Sequence, residues 1–78
     1  MKVEIEFSER RLEKKGFSYE GAANTVKTLF RQRGVKLIEN DISLIFEGNE
    51  NSIGKVLESL ESKDWFKESC VLCEKIED

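Results

Sequence analysis

Apolar and polar residues alternate without a break through "KVEIEF", with Val3, Ile5 and Phe7 on one side and Lys2, Glu4 and Glu6 on the other. That two-residue period predicts a half-buried strand. The stretch that follows, "SERRLEKKGF", has Leu12 as its only apolar side chain before Gly16 and Phe17. It reads as a loop or a short helical turn opened by Ser8, because Ser8 and Arg11 lack the acidic partner of a capping box. From Ser18 the period changes: Tyr19, Ala22, Ala23, Val26, Leu29 and Phe30 recur at steps of three and four, which places them on one face of a helix. Ser18 suits the N-cap, and Gly34 suits the position just past the end.

"VKLI" and "ISLIF" are rich in β-branched and large apolar residues, with the polar "END" between them, and predict a hairpin. In its second strand Ile42, Leu44 and Phe46 point one way. After "EGNEN", Ile53, Val56, Leu57 and Leu60 return to helical spacing, capped by Asn51 or Ser52 and ending near Lys63. A last strand is expected around residues 69 to 76. The order strand, helix, strand, strand, helix, strand predicts an α+β, ferredoxin-like fold (split βαβ, order βαββαβ), a four-stranded antiparallel sheet with two helices on one face. The rival arrangement leaves the chain end as an irregular tail beside three strands.

With 78 residues the chain has room for a single domain, residues 1–78, and one core. Apolar residues at 38% and charged residues at 37% are a globular mixture. No stretch approaches the roughly 20 apolar residues that cross a bilayer, and "MKVEIEF" lacks the apolar segment of a secretory signal. A cytoplasmic protein without a membrane partner is expected. The net charge of −3 conceals an asymmetry. Residues 8–36 hold eight bases and three acids, or +5, whereas residues 37–78 hold four bases and eleven acids, or −7. Such a division points to a charged partner or a second copy.

Catalytic chemistry is poorly supplied. Without histidine no side chain has an ordinary pKa near neutrality, so an enzyme would need a strongly shifted carboxylate or lysine. No catalytic residue and no cofactor are assigned. The only cysteines, Cys70 and Cys73, would point to opposite faces of a regular strand. A structural zinc site wants four Cys or His ligands, and a redox pair normally sits at a helix N-terminus. One thiol in the core and the other near the surface is therefore expected, with no metal. "KKGFSYEG" could hold an anion at a helix start, although an ordinary capped helix explains it.

Two surfaces remain as candidates. Ile38, Ile45 and one of Trp65 or Phe66 would form an apolar contact patch, since Trp65 and Phe66 cannot both enter one core from an extended chain. Arg10, Arg11, Lys14, Lys15, Lys27 and Arg31 would form a basic stripe for an acidic partner or for phosphates. Sheet-face RNA binding is disfavoured, because Phe7 and Phe46 belong to the buried side and the open side is acidic.

The stretches "IEFSERRLEKKGFSYEGAANTVKTLF" and "LESKDWFKESCVLCE" resemble small uncharacterised proteins encoded by mobile elements of Gram-positive bacteria. The resemblance implies a cytosolic accessory protein and transfers no site residues. The expectation is a small non-enzymatic accessory or adaptor protein acting through protein–protein contacts, with self-association into a dimer as one form. The alternative is a nucleic-acid-associated protein using the basic stripe on residues 10–36.

Overall fold

The computed structural model describes residues 1–76. Strand β1 (Lys2–Phe7) buries Val3, Ile5 and Phe7 and leaves Lys2, Glu4 and Glu6 half-buried, as its alternation requires. Helix α2 (Tyr19–Gln32) buries Ala22, Ala23, Val26 and Phe30, and the Ser18 hydroxyl caps it by accepting from the Gly21 N–H at 3.0 Å. Strands β2 (Lys36–Asn40) and β3 (Leu44–Glu47) form the hairpin. Helix α3 (Glu50–Glu61) buries Ile53, Val56, Leu57 and Leu60, and strand β4 (Cys70–Ile76) closes the fold. The four strands pair in the order β2-β3-β1-β4, every neighbouring pair antiparallel.

Two further helices correct the expected count. Residues 9–14, which the pattern left between loop and turn, form helix α1 (Glu9–Lys14), with Ser8 as its N-cap accepting from the Arg11 N–H at 3.3 Å. A single apolar side chain, Leu12, holds it to the core. Residues 64–69 form helix α4 (Asp64–Ser69), where no helix was expected. Its turn resolves the "DWF" problem: Phe66 meets the Phe7 ring edge-on at 5.6 Å while Trp65 stacks on it at 6.2 Å. Neighbouring residues on a helix point about 100° apart rather than to opposite faces, so both rings reach one target. The Ser69 hydroxyl is buried and donates to the Trp65 carbonyl.

The hairpin turn also moves. Residues 41–43 connect the strands instead of residues 39–41, so Ile42 lies at the tip, 76% exposed. The cap of α3 falls on Asn49, whose side chain accepts from the Asn51 N–H at 2.8 Å. Asn49 accordingly takes the role expected of Asn51 or Ser52.

Helices α1 and α2 end in the same way. Gly16 and Gly34 have φ of 82° and 75°. The amide of the following residue returns to the carbonyl five back: Phe17 to Leu12 and Val35 to Phe30, each at 3.0 Å. The glycine amides bond Glu13 and Arg31, completing two Schellman turns. At Gly34 nothing lies within 4 Å of where a Cβ would stand, so Gly34→Ala tests backbone conformation alone. It should lower stability by about 1–2 kcal/mol, read as a shift in urea midpoint; an unchanged midpoint would contradict the left-handed turn.

Strand residues in the core, Val3, Ile5, Phe7, Leu44 and Phe46, come from one face of the sheet and join the buried residues of all four helices in one cluster. On the other face the register aligns Glu39, Ile45, Glu4 and Glu74 across the four strands. Ser43 donates to the Glu4 carboxylate at 2.6 Å, tying the hairpin end to the centre of the sheet.

Candidate functional site

Where the Schellman turn at Gly34 reverses the chain, the last turns of α2 run alongside β2. Lys27 and Arg31, four positions apart on one helix face, then share a cleft with Lys36 across the turn. Val35, Leu37 and Phe46 supply its apolar wall. The cleft has a volume of about 500 Å³. Leu37 pairs with Phe46 across the hairpin and so points to the helix side of the sheet, yet it remains 39% exposed because β2 is an edge strand. Lys27 and Arg31 beside an exposed apolar side chain form an amphipathic positive groove, which Lys36, paired with Glu47, borders at the sheet edge. Arg31 is steadied by donating to the Thr28 hydroxyl at 3.5 Å.

The expected basic stripe divides into two groups. Lys27 and Arg31 border β2 at one edge of the sheet. Lys15 instead pairs with Glu68 of α4 at 2.6 Å, in the helix that leads into β4 at the opposite edge. The Glu68 hydrogen bond and charge raise the Lys15 pKa. Arg10, Arg11 and Lys14 are exposed on α1. Lys36, Val35 and Leu37 were missed as site residues, because only the turn at Gly34 brings them against α2.

The expected apolar patch is not assembled. Phe66 is core, and Trp65 is partly buried between Phe7 and Phe17, the latter ring 5.4 Å away. Ile45 lies half-buried on the acidic sheet face, while Ile38 is 47% exposed at the β2 edge. Ile38 is the surplus residue where the β2–β3 register shifts between Leu37 and Glu39. The anion site considered at "KKGFSYEG" is an ordinary Ser18-capped helix start.

Cys70 and Cys73 require a correction. The β1–β4 register shifts between Glu6 and Phe7: Leu72 opposes Glu6, and Cys70 opposes Phe7. Val71 is thus an extra residue, a β-bulge, and Cys73 opposes Ile5. Both cysteines stand across from core-facing residues, on the same face of the sheet. Cys70 is half-buried against the core and Cys73 exposed, both as free thiols. A hydrogen bond from Cys73 lowers the Cys70 pKa, with burial opposing it and backbone hydrogen bonding at Leu72 and Glu6 reinforcing it. The same contact with Cys70 pushes the Cys73 pKa up, helped by desolvation and by the negative charges of Cys70 and Glu61. Cys70 also ends α4, where the negative pole of a helix gives a thiolate no help. Cys73 takes that part instead. In the protonated form the Cys70 thiol donates to the Leu72 carbonyl at 3.1 Å.

Comparison of the chain with protein-family models, curated proteins and solved structures finds no match. Among the described residues no helix is long and apolar enough to cross a membrane, and no group of three or more Cys, Asp or Glu side chains is gathered for a metal ion.

Proposed function

We propose that the protein is a small non-enzymatic accessory or adaptor protein, which captures an acidic segment of a partner protein in the cleft between α2 and β2. The carrying observation is the placement of Lys27 and Arg31 beside the apolar wall of Val35, Leu37 and Phe46. An occupant with acidic side chains interrupted by an apolar one answers both features. Its acids meet Lys27 and Arg31 and its apolar side chain covers Leu37. The open sheet face is a poorer docking surface, since Glu39 and Glu4 flank Ile45 there, with Glu74 beyond Glu4, and would confront their own copies in a face-to-face dimer. A cytoplasmic setting and a ferredoxin-like fold belong to the same reading. The strand order β2-β3-β1-β4 with a helix-bearing crossover in each half supports the latter.

The test is binding of a fluorescein-labelled peptide alternating glutamate with leucine, followed by anisotropy. The unmodified protein should bind it with an affinity that falls as salt rises. The double variant Lys27→Glu/Arg31→Glu should lose about tenfold or more, since each exposed ion pair is worth up to about 1 kcal/mol and reversal adds repulsion. Unchanged affinity in that variant would exclude the cleft. Binding of single-stranded RNA in preference to the peptide would favour the nucleic-acid alternative. A concentration-dependent dimer in light scattering that the variant abolishes would make a second copy the occupant.

A further inference from the structure

We propose that Cys70 and Cys73 form a reversible dithiol–disulfide couple, which exchanges with low-molecular-weight disulfides of the glutathione type. The site is independent of the α2–β2 cleft and lies at the opposite edge of the sheet.

The β-bulge makes the pair possible. Cysteines three apart on a regular strand face opposite ways, but Val71 absorbs one position, so the thiols oppose Phe7 and Ile5, which are two apart on one face. That register sets their Cα atoms roughly 6.5 Å apart, the rise of two strand residues. A disulfide spans Cα separations of about 4.4–6.8 Å, so closure asks for little backbone movement. The thiols lie close enough to perturb each other's titration. Val71 is 49% exposed and Cys73 is exposed, so a small disulfide can approach from the open edge of β4. No group of three or more Cys, Asp or Glu that could hold a metal ion is gathered there among the described residues.

The exchange balances as follows. Cys70 loses its proton first, because the Cys73 S–H stabilises its thiolate. That thiolate attacks one sulfur of the disulfide RSSR; the S–S bond breaks, a Cys70–S–SR bond forms, and RS⁻ leaves and takes up a proton. Cys73 then gives up its proton and attacks the Cys70 sulfur, forming Cys70–S–S–Cys73 and expelling a second RS⁻, protonated to RSH. Two protein thiols are oxidised, and one disulfide is reduced to two thiols.

The experiment equilibrates the full chain with oxidised and reduced glutathione in varied ratio, quenches with acid, and reads intact mass and free thiols. The unmodified protein should become two hydrogens lighter, lose both titratable thiols, and regain them with excess reductant. The transient glutathione adduct trapped early should map to Cys70. Cys70→Ser and Cys73→Ser should each stop at a protein one glutathione heavier. A chain that retains both thiols at every ratio, or that crosslinks only between molecules, overturns the proposal. The first measurement needs no variant, so the outcome does not depend on how a substituted chain folds.

Discussion

Phe30→Ala is expected to remove about 3–5 kcal/mol of stability. Phe30 is fully buried and stacks on Phe46 with ring centroids 4.2 Å apart and planes 21° apart. The pair joins α2 to β3. Truncating one ring removes both its transfer energy and its partner's contact, and a close-packed interior relaxes only partly into the void. A domain of this length holds on the order of 5–10 kcal/mol in total, so the variant should be marginally folded at room temperature. Urea unfolding monitored by circular dichroism and by Trp65 fluorescence provides the measurement. In the double variant with Phe46→Ala the losses should be less than additive, because the second truncation removes a contact already gone. A loss below about 1 kcal/mol for Phe30→Ala would mean the stacked rings do not anchor the core.

Leu12→Ala should cost about 2–5 kcal/mol, through a different route. Leu12 is the one buried residue of α1 and is itself fully buried, and its carbonyl accepts the Phe17 amide that closes the helix. A six-residue helix does not persist in water unaided. The other ties seen at that end are the Lys15–Glu68 pair between exposed side chains, which contributes little, and the contact of the exposed Phe17 ring with Trp65. The expected signature is therefore local as well as global: amides of Lys15, Gly16 and Phe17 should exchange with solvent much faster in the variant, while those of β1 and β3 follow the overall stability. Uniform acceleration of both sets would mean that α1 has no independent opening, and a stability change under about 1 kcal/mol would mean that Leu12 does not dock it.

Elements with several apolar residues in one period were legible from the chain itself. Val3, Ile5 and Phe7 marked β1, and Ala22, Ala23, Val26 and Phe30 marked α2. Helix α4 escaped, and α1 was left open between a loop and a helical turn at Ser8, for one reason. Six residues give too few turns for a period to repeat: α1 has only Leu12, and α4 packs the adjacent Trp65 and Phe66 with an N-cap residue, Lys63, whose side chain makes no cap bond. Tertiary contacts with Phe7 decide such a segment. The cleft was half legible. Lys27 and Arg31 stood out as a helical pair, but Lys36 and Leu37 join them only because Gly34 turns the chain back. The pairing of Cys70 with Cys73 was not legible, since the surplus residue at Val71 is a property of how β4 registers on β1 and leaves no mark in local periodicity.

The two sheet margins each carry one such surplus residue, Ile38 in β2 and Val71 in β4. Unprotected margins of this kind invite strand-on-strand growth, the β2 of one molecule receiving the β4 of the next in an endless ribbon. An inserted residue breaks the even row of amides and carbonyls and twists the backbone away from flatness. Here both potential joining surfaces are interrupted, so fibril-like polymerisation lacks a continuous template at either end.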